Sequence, residues 1–266
     1  MTSESKGLVL SMYTLLAIGV VMIYSASAVY ADQVFHSPTY FLRRQLFYVI
    51  IGSFLFFLSS ALDPDFLRRH SRLLMGIAVI LLFAVFLPVL GRTAGGARRW
   101  VQLPFFTFQP VEYAKVAMCV YLADYISRKR EPITKGSLSV FYAPFILLFL
   151  IFALVIAQPD LGSCIFLFLL MGILFFISGI RFRYILFALT LALALVIFLI
   201  WQAPYRMSRI TAYLDPWKDP KGSGFQIIQS FIAFGLGGIK GVGLGQSTQK
   251  LFYLPQSHTD FIFSII

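Results

Sequence analysis

Residues 141–180 are apolar from end to end except for one break, Gln158-Pro159-Asp160-Leu161-Gly162. A helix crosses a bilayer core with about 20 apolar residues. Forty such residues therefore cannot cross once, and the chain has to reverse at a membrane surface. The break is made of residue types that favour turns. Five further runs of the same character fall at roughly 8–31, 45–62, 73–90, 110–127 and 184–202. Another begins at Phe261 and runs for the last six residues given. The expected fold is an all-α polytopic membrane protein with seven transmembrane helices and the start of an eighth. It is read as a single transmembrane domain over 1–266, with a large outer loop at 203–260 that holds short interfacial helices.

Composition agrees. Charged residues make up 12% of the chain, against about 25% in an ordinary soluble domain. Phe alone contributes 29 residues, which suits lipid-facing helices. The first run, Leu8 to Ala31, is too long for a signal-peptide core and reads as a span. Cys119 and Cys164 both lie in apolar runs and imply neither a disulfide nor a metal framework. The net charge of +11 would suggest nucleic acid in a soluble protein, but no nucleic-acid module is present. In a membrane protein it speaks of head groups and of loop topology.

Alternation of the spans puts Lys6, Arg68, Arg69, Arg72, Arg128, Lys129, Arg130, Lys135, Arg181 and Arg183 on one side. The short loops opposite hold Arg43, Arg44, Arg92, Arg98 and Arg99. The more basic side is expected to be cytoplasmic. The N-terminus is then inside, and the turn at Asp160 and the stretch 203–260 are outside. That long stretch adds six more basic residues to the outer side, where an anionic ligand or outer-leaflet head groups would account for them. Gln226 to Gly245, apolar but glycine-rich, reads as interfacial or re-entrant helix. Its GVGLG is no dinucleotide fingerprint, because no strand–turn–helix unit surrounds it.

Four polar clusters fall on this outer side. Gly96-Ala97-Arg98-Arg99-Trp100 pairs two guanidiniums with an interface anchor, and suits either a phosphate or plain snorkelling. In Gln109-Pro110-Val111-Glu112-Tyr113-Ala114-Lys115, proline starts a helix, and Glu112 and Lys115 stand three apart, close enough to pair. Such a pair is either structural or functional, and the cost of charge at membrane depth turns it toward the bundle interior or a wet groove. Gln158-Pro159-Asp160 offers Asp160 as a helix cap or as part of a polar pocket. The fourth cluster, Gly245 to Asp260, is a string of polar groups at the mouth of a membrane segment. Thr259 or Asp260 as an N-cap would explain one of them, not Lys250, Gln256, Ser257, His258, Thr259 and Asp260 together.

In this order, the motifs GARRW, QPVEYAK, QPDLG, DPWKDPKGSGFQIIQS, GGIKGVGLGQSTQK and YLPQSHTDFIF resemble the SEDS family (shape, elongation, division and sporulation) of polytopic peptidoglycan polymerases. The wording of DPWKDPKGSGFQ and GVGLGQSTQK is closest to the FtsW/SpoVE branch. The resemblance implies a glycosyltransferase of the bacterial inner membrane that polymerises lipid II, partnered by a class B penicillin-binding protein and by division or elongation proteins. It places the family's essential carboxylate at Asp260. The chain departs from the family at Val111, where Ser is frequent, and at Gln256 and Phe252, where Glu occurs. Members have about ten spans, so this chain is expected to be a fragment.

Joining a sugar hydroxyl to an anomeric carbon that carries a lipid pyrophosphate needs a base and positive charge near the leaving group. Asp260 is assigned as the base, or as ligand to an assisting divalent cation, Mg or Mn; no organic cofactor is expected. Arg98, Arg99, Lys115, Lys240, Lys250 and His258 form the candidate substrate-binding set, with Glu112, Gln158 and Asp160 in support. The alternative from another class is a flippase for the lipid-linked precursor, which Glu112, Lys115 and the helix broken at Pro159 would suit. A flippase should carry its ionisable groups near the midplane in both halves, whereas the polar strings here crowd one face.

Overall fold

The computed structural model describes residues 3–94, 96–103, 106–134, 142–243, 245–250 and 253–266. Lys135 and Phe252 lie outside them. The chain groups into two compact units, one of residues 1–61 and 199–266 and the other of residues 62–198.

The first unit opens with α1 (Ser3–Phe35) and α2 (Tyr40–Ser60). At 33 residues α1 is about 50 Å long, well beyond a hydrocarbon core of about 30 Å. It ends where His36 turns left-handed, at φ +52°, and Pro38 follows; the amides of His36 and Ser37 return to the carbonyls of Asp32 and Ala31. The two helices then run back on each other, with Phe35 stacked on Tyr40 at 4.0 Å and Tyr13 on Phe57 at 6.3 Å. The unit is completed by α10 (Pro204–Leu214), α11 (Phe225–Gly237) and α12 (Ile262–Ile265). Its small core joins Met22 and Ala26 of α1 to Leu254 and Ile265.

The second unit holds α3 (Pro64–Arg69), α4 (Ser71–Ala84), a hairpin with a third strand, α5 (Pro110–Arg128), α6 (Arg130–Thr134), α7 (Tyr142–Ala157), α8 (Leu161–Ile177) and most of α9 (Phe182–Trp201). Its core is the seam of α4, α5, α7 and α8. Met75, Ala78 and Leu82 meet Ala114, Ala117, Met118 and Leu122, and Ile151, Val155, Cys164 and Leu167 close the other side. The spacing is helical on each element. Small residues at the contact let the helices approach closely, as packing within lipid requires. The opposite faces carry the large apolar side chains: Phe149 is 77% exposed and Ile80 68%. A soluble bundle would be the reverse of this.

Each expected span carries a helix. Three of them, Ser5–Phe35, Tyr40–Ser60 and Phe182–Trp201, are long and apolar enough to cross unaided, whereas 71–84, 142–157 and 161–177 are shorter apolar helices. The third run loses its last turns to a string of tight turns at 85–90. The fourth run is a full helix of 19 residues but carries Glu112, Lys115, Asp124 and Arg128. Between α4 and α5 lies a small antiparallel sheet that the run-by-run reading had as loop. It comprises β1 (Gly91–Ala94), β2 (Ala97–Gln102) and β3 (Thr107–Phe108), in the order β1-β2-β3. Ala94 faces Ala97 across a two-residue connection, and Gly96 supplies the positive φ that such hairpins need. A Cβ at Gly91 would collide with the carbonyl oxygen of Val85 and the guanidinium of Arg98, so the strand enters where only glycine fits.

Leu82→Ala should lower the unfolding free energy of the purified protein in detergent by about 2–4 kcal/mol, because it opens a cavity in the four-helix seam. Ile80→Ala, on the lipid-facing side two residues away, should cost less than about 0.5 kcal/mol. Denaturant titrations of the two variants test this.

Candidate functional site

In the second unit the break between α7 and α8 gathers several of the candidate groups. Asp160 is the N-cap of α8. One of its carboxylate oxygens accepts the backbone N–H of Ser163 at 3.2 Å, and the other accepts the Ser163 hydroxyl at 2.8 Å. The amide nitrogen of Gln109 also reaches Asp160, at 3.4 Å. Gln158 is fully buried, and its side-chain amide donates to the carbonyl of Leu82 at 3.0 Å. Arg99 on β2 donates from Nε to the carbonyl of Gln158 at 3.0 Å, and from Nη2 to the carbonyl of Pro159. A helix end leaves free carbonyls that need a donor, and here one guanidinium serves two. Arg98 donates to the carbonyl of Leu87 at 2.7 Å and so ties the strand to the end of the turns after α4.

On α5 the expected pair forms: Lys115 Nζ lies 2.7 Å from Glu112 Oε1. The lysine is the more buried partner, at 20% side-chain exposure against 57%, and its ammonium sits 4.9 Å over the ring of Phe166 on α8. Lys115 thus turns inward and Glu112 outward.

The remaining candidates lie in the first unit. His258 is half-buried, 4.4 Å from the ring of Phe41 and stacked on Tyr30 at 5.7 Å. Burial lowers its pKa below the ordinary imidazole value. Lys250 ends a short 3-10 turn and donates to the carbonyl of Gly245, whose φ is +75°. An ammonium has three protons, so two remain for other acceptors. Lys240 is exposed on the loop after α11. It borders a cavity of about 430 Å³ lined also by Gln246, Thr248, Gln249, Phe263 and Ser264. Asp260 lies exposed in the turns before α12. The N-cap of that helix is Phe261 with no side-chain bond, and the Thr259 hydroxyl turns back to the carbonyl of Gln256. Neither Thr259 nor Asp260 is used as a cap.

Three polar groups outside the candidate set matter to these arrangements. Asp219 accepts the backbone amides of Gly222 and Ser223, at 3.1 and 2.8 Å, and the Ser223 hydroxyl at 3.1 Å. Those bonds hold its carboxyl below the usual range. They close the loop whose Gly224 packs directly on the carbonyl of Pro216. The spacing of an Asp three and four residues before Gly and Ser is a readable turn signal. Gln249 is buried with its side-chain oxygen unpaired among the described residues. Asp124, inside the fourth run, is buried and neutralised by a serine and two arginines. Arg128 is its neighbour four residues on in α5, but Arg68 and Ser71 come from α3 and α4, which the run's periodicity does not reveal.

The family described as cell cycle proteins FtsW, RodA and SpoVE matches residues 6–266. A protein of Geobacter sulfurreducens named probable peptidoglycan glycosyltransferase FtsW is 42% identical over 93% of the chain, and the chain covers 66% of that relative, somewhat less than two thirds. Stage V sporulation protein E of Bacillus subtilis is 42% identical over the whole chain, which covers 72% of it. Among solved structures, a chain of a peptidoglycan synthase complex described as coordinating polymerization and crosslinking is 32% identical with a TM-score of 0.62, over 94% of this chain and 68% of that one. The rod shape determining protein RodA of Thermus thermophilus is 29% identical with a TM-score of 0.59, over 71% of this chain and 58% of that one.

Arg99→Ala should loosen the break at 158–160 and cost about 1.5–3 kcal/mol, the range for hydrogen bonds to a charged group. Arg99→Lys should recover only part, because a single ammonium cannot span both carbonyls. Thermal unfolding and limited proteolysis at the turn read both variants. A second expectation concerns His258. With its folded-state pKa lowered, the unfolded chain binds more protons between the two pKa values, so stability rises with pH through that window and falls on acidification below about 6.5. His258→Phe keeps the ring stack and should flatten the dependence of Tm on pH between about 5 and 7.

Proposed function

The chain belongs to the FtsW, RodA and SpoVE family of cell cycle proteins, and on that premise we propose that it is a peptidoglycan glycosyltransferase that polymerises lipid II into glycan strands during cell division or cell-wall synthesis. The carrying observation is the 42–43% identity, across 93% of the chain, to proteins named probable peptidoglycan glycosyltransferase. The protein is a multi-pass membrane protein. Its proposed setting is the bacterial inner membrane, N-terminus inside and reaction on the outer face, in agreement with the charge asymmetry of its loops. A class B penicillin-binding protein is the proposed partner; the similarity to a chain of a peptidoglycan synthase complex supports it.

In the proposed reaction the 4-hydroxyl oxygen of one lipid II attacks the anomeric carbon of another chain's terminal sugar. The C1–O bond to the lipid pyrophosphate breaks with inversion, and the pyrophosphate leaves with the electron pair. The hydroxyl proton passes to Asp260, whose carboxylate is exposed and is not consumed as a helix cap. Lys240 and Lys250, in the same unit as Asp260, are assigned to the departing pyrophosphate. Arg98, Arg99 and Lys115 stand as further cationic candidates in the other unit, each also committed to a local contact. Glu112 is assigned to orient Lys115, Gln158 and Asp160 to hold the break, and His258 to shape the turn that carries Asp260.

Among the described residues no three His, Cys, Asp or Glu side chains group as a metal site. In the alternative role, as ligand rather than base, Asp260 would hold a divalent cation together with substrate oxygens, which is how Mg²⁺ binds when one or two carboxylates are offered together with phosphates. Bound there, it would supply charge to the departing pyrophosphate.

The test is polymerisation of lipid II by the full-length protein purified with its transpeptidase partner, with and without a divalent cation, read as glycan polymer on a gel. Asp260→Asn should lower the rate by about 10²–10⁴-fold, the usual worth of a positioned base. Polymer at the wild-type rate from Asp260→Asn would move the base elsewhere. No polymer from the folded, partner-bound wild type would turn the reading to a flippase, checked by lipid translocation in liposomes.

A further inference from the structure

At the end of α5 away from the break, a pocket of about 440 Å³ is lined by Asp65, Arg68, Arg69, Ser71, Arg72, Asp124 and Arg128. Asp124 is only 7% exposed. It is held by the Ser71 hydroxyl at 2.7 Å and by Arg128 at 2.9 and 3.2 Å, with Arg68 at 3.6 Å. Its charge is therefore already met, and it anchors Arg68 and Arg128 at the pocket wall. Arg69 and Arg72 have no such partner among the described residues, and both are exposed. Four guanidiniums face two carboxylates, one of them spent.

Just past Arg72, α4 presents an exposed apolar stripe of Leu73, Ile77, Ile80 and Phe83, while Met75, Ala78 and Leu82 are buried on its other face. Arg72 opens that stripe. A ligand with a phosphate in the pocket and hydrocarbon below it would meet both features at once.

We propose that this pocket is a binding site for the phosphate head group of an anionic phospholipid, whose acyl chains lie along the exposed face of α4. Guanidiniums match phosphate oxygens in a bidentate way. Basic pockets between helices at a membrane surface are where anionic lipid head groups settle. The stripe is what favours a lipid over free phosphate, which has nothing to lay on it. The site is independent of the transferase reading, since it shares no residue with the candidate catalytic set.

Native mass spectrometry of the full-length protein in detergent, titrated with phosphatidylglycerol, phosphatidylethanolamine or inorganic phosphate, tests the assignment. The wild type should retain phosphatidylglycerol in preference to phosphatidylethanolamine. The double variant Arg69→Ala/Arg72→Ala leaves the Asp124 pairings intact, and should weaken phosphatidylglycerol binding about tenfold. The double variant Arg181→Ala/Arg183→Ala, which removes two exposed arginines outside the pocket, should not. Equal losses in both double variants would reduce the effect to general surface charge and overturn the site. Unchanged binding in Arg69→Ala/Arg72→Ala would do so as well. Displacement of the lipid by equimolar inorganic phosphate would assign the pocket to a soluble anion and overturn the lipid assignment.

Discussion

A helix that ends at a membrane surface leaves its last carbonyls without an intrahelical partner. The second unit is organised around meeting that demand at one place, the break between α7 and α8. Arg99 donates to the carbonyls of Gln158 and Pro159, the buried Gln158 amide donates to the carbonyl of Leu82 on α4, and Asp160 accepts the backbone amide and the hydroxyl of Ser163 on α8. Three helices and the small sheet are thereby tied to a turn of three residues. The packing of α5 against α4 and α8, and with it the inward position of Lys115, is built on that fixed point.

Carboxylates in this chain receive opposite treatment. Asp124, Asp160 and Asp219 are each met by two or more donors and act as structural anchors. Asp260 is exposed in a run of turns, and like Asp32 and Asp65 its carboxylate has no such anchoring among the described residues. A group kept open in that manner is available for a proton, a cation or a substrate. What singles it out from Asp32 and Asp65 is its place in the YLPQSHTDFIF motif.

The helices were legible because apolar run length is a direct consequence of bilayer thickness, and the turn at Gln158–Asp160 because a forty-residue apolar stretch admits no other solution. The Glu112–Lys115 pair followed from helical spacing alone. What escaped was whatever depends on a distant partner. The hairpin Gly91–Gln102 lies in a segment whose arginines and tryptophan read as a phosphate site or interface anchor, although its Gly-containing centre is a hairpin signal. Asp124 lay inside an apolar run, and its partners Arg68 and Ser71 sit on other helices, more than fifty residues away. The staple role of Arg99 was invisible for the same cause: a guanidinium is written identically whether it awaits a phosphate or caps two carbonyls.

That staple also imposes an order in time. Arg99 precedes Gln158 by 59 residues, which at about 5–20 residues per second of synthesis is roughly 3–12 seconds. During that interval the rest of the sheet and α5 are made, while the carbonyls that Arg99 will hold have not been. The nascent chain therefore carries a charged group at the bilayer's edge with no lasting partner until the α7–α8 hairpin enters as a unit. A delay between α5 and α7 in the insertion machinery would expose this arginine, and the part-made protein would be at its most vulnerable to capture by quality-control proteases then, rather than at the end of its synthesis.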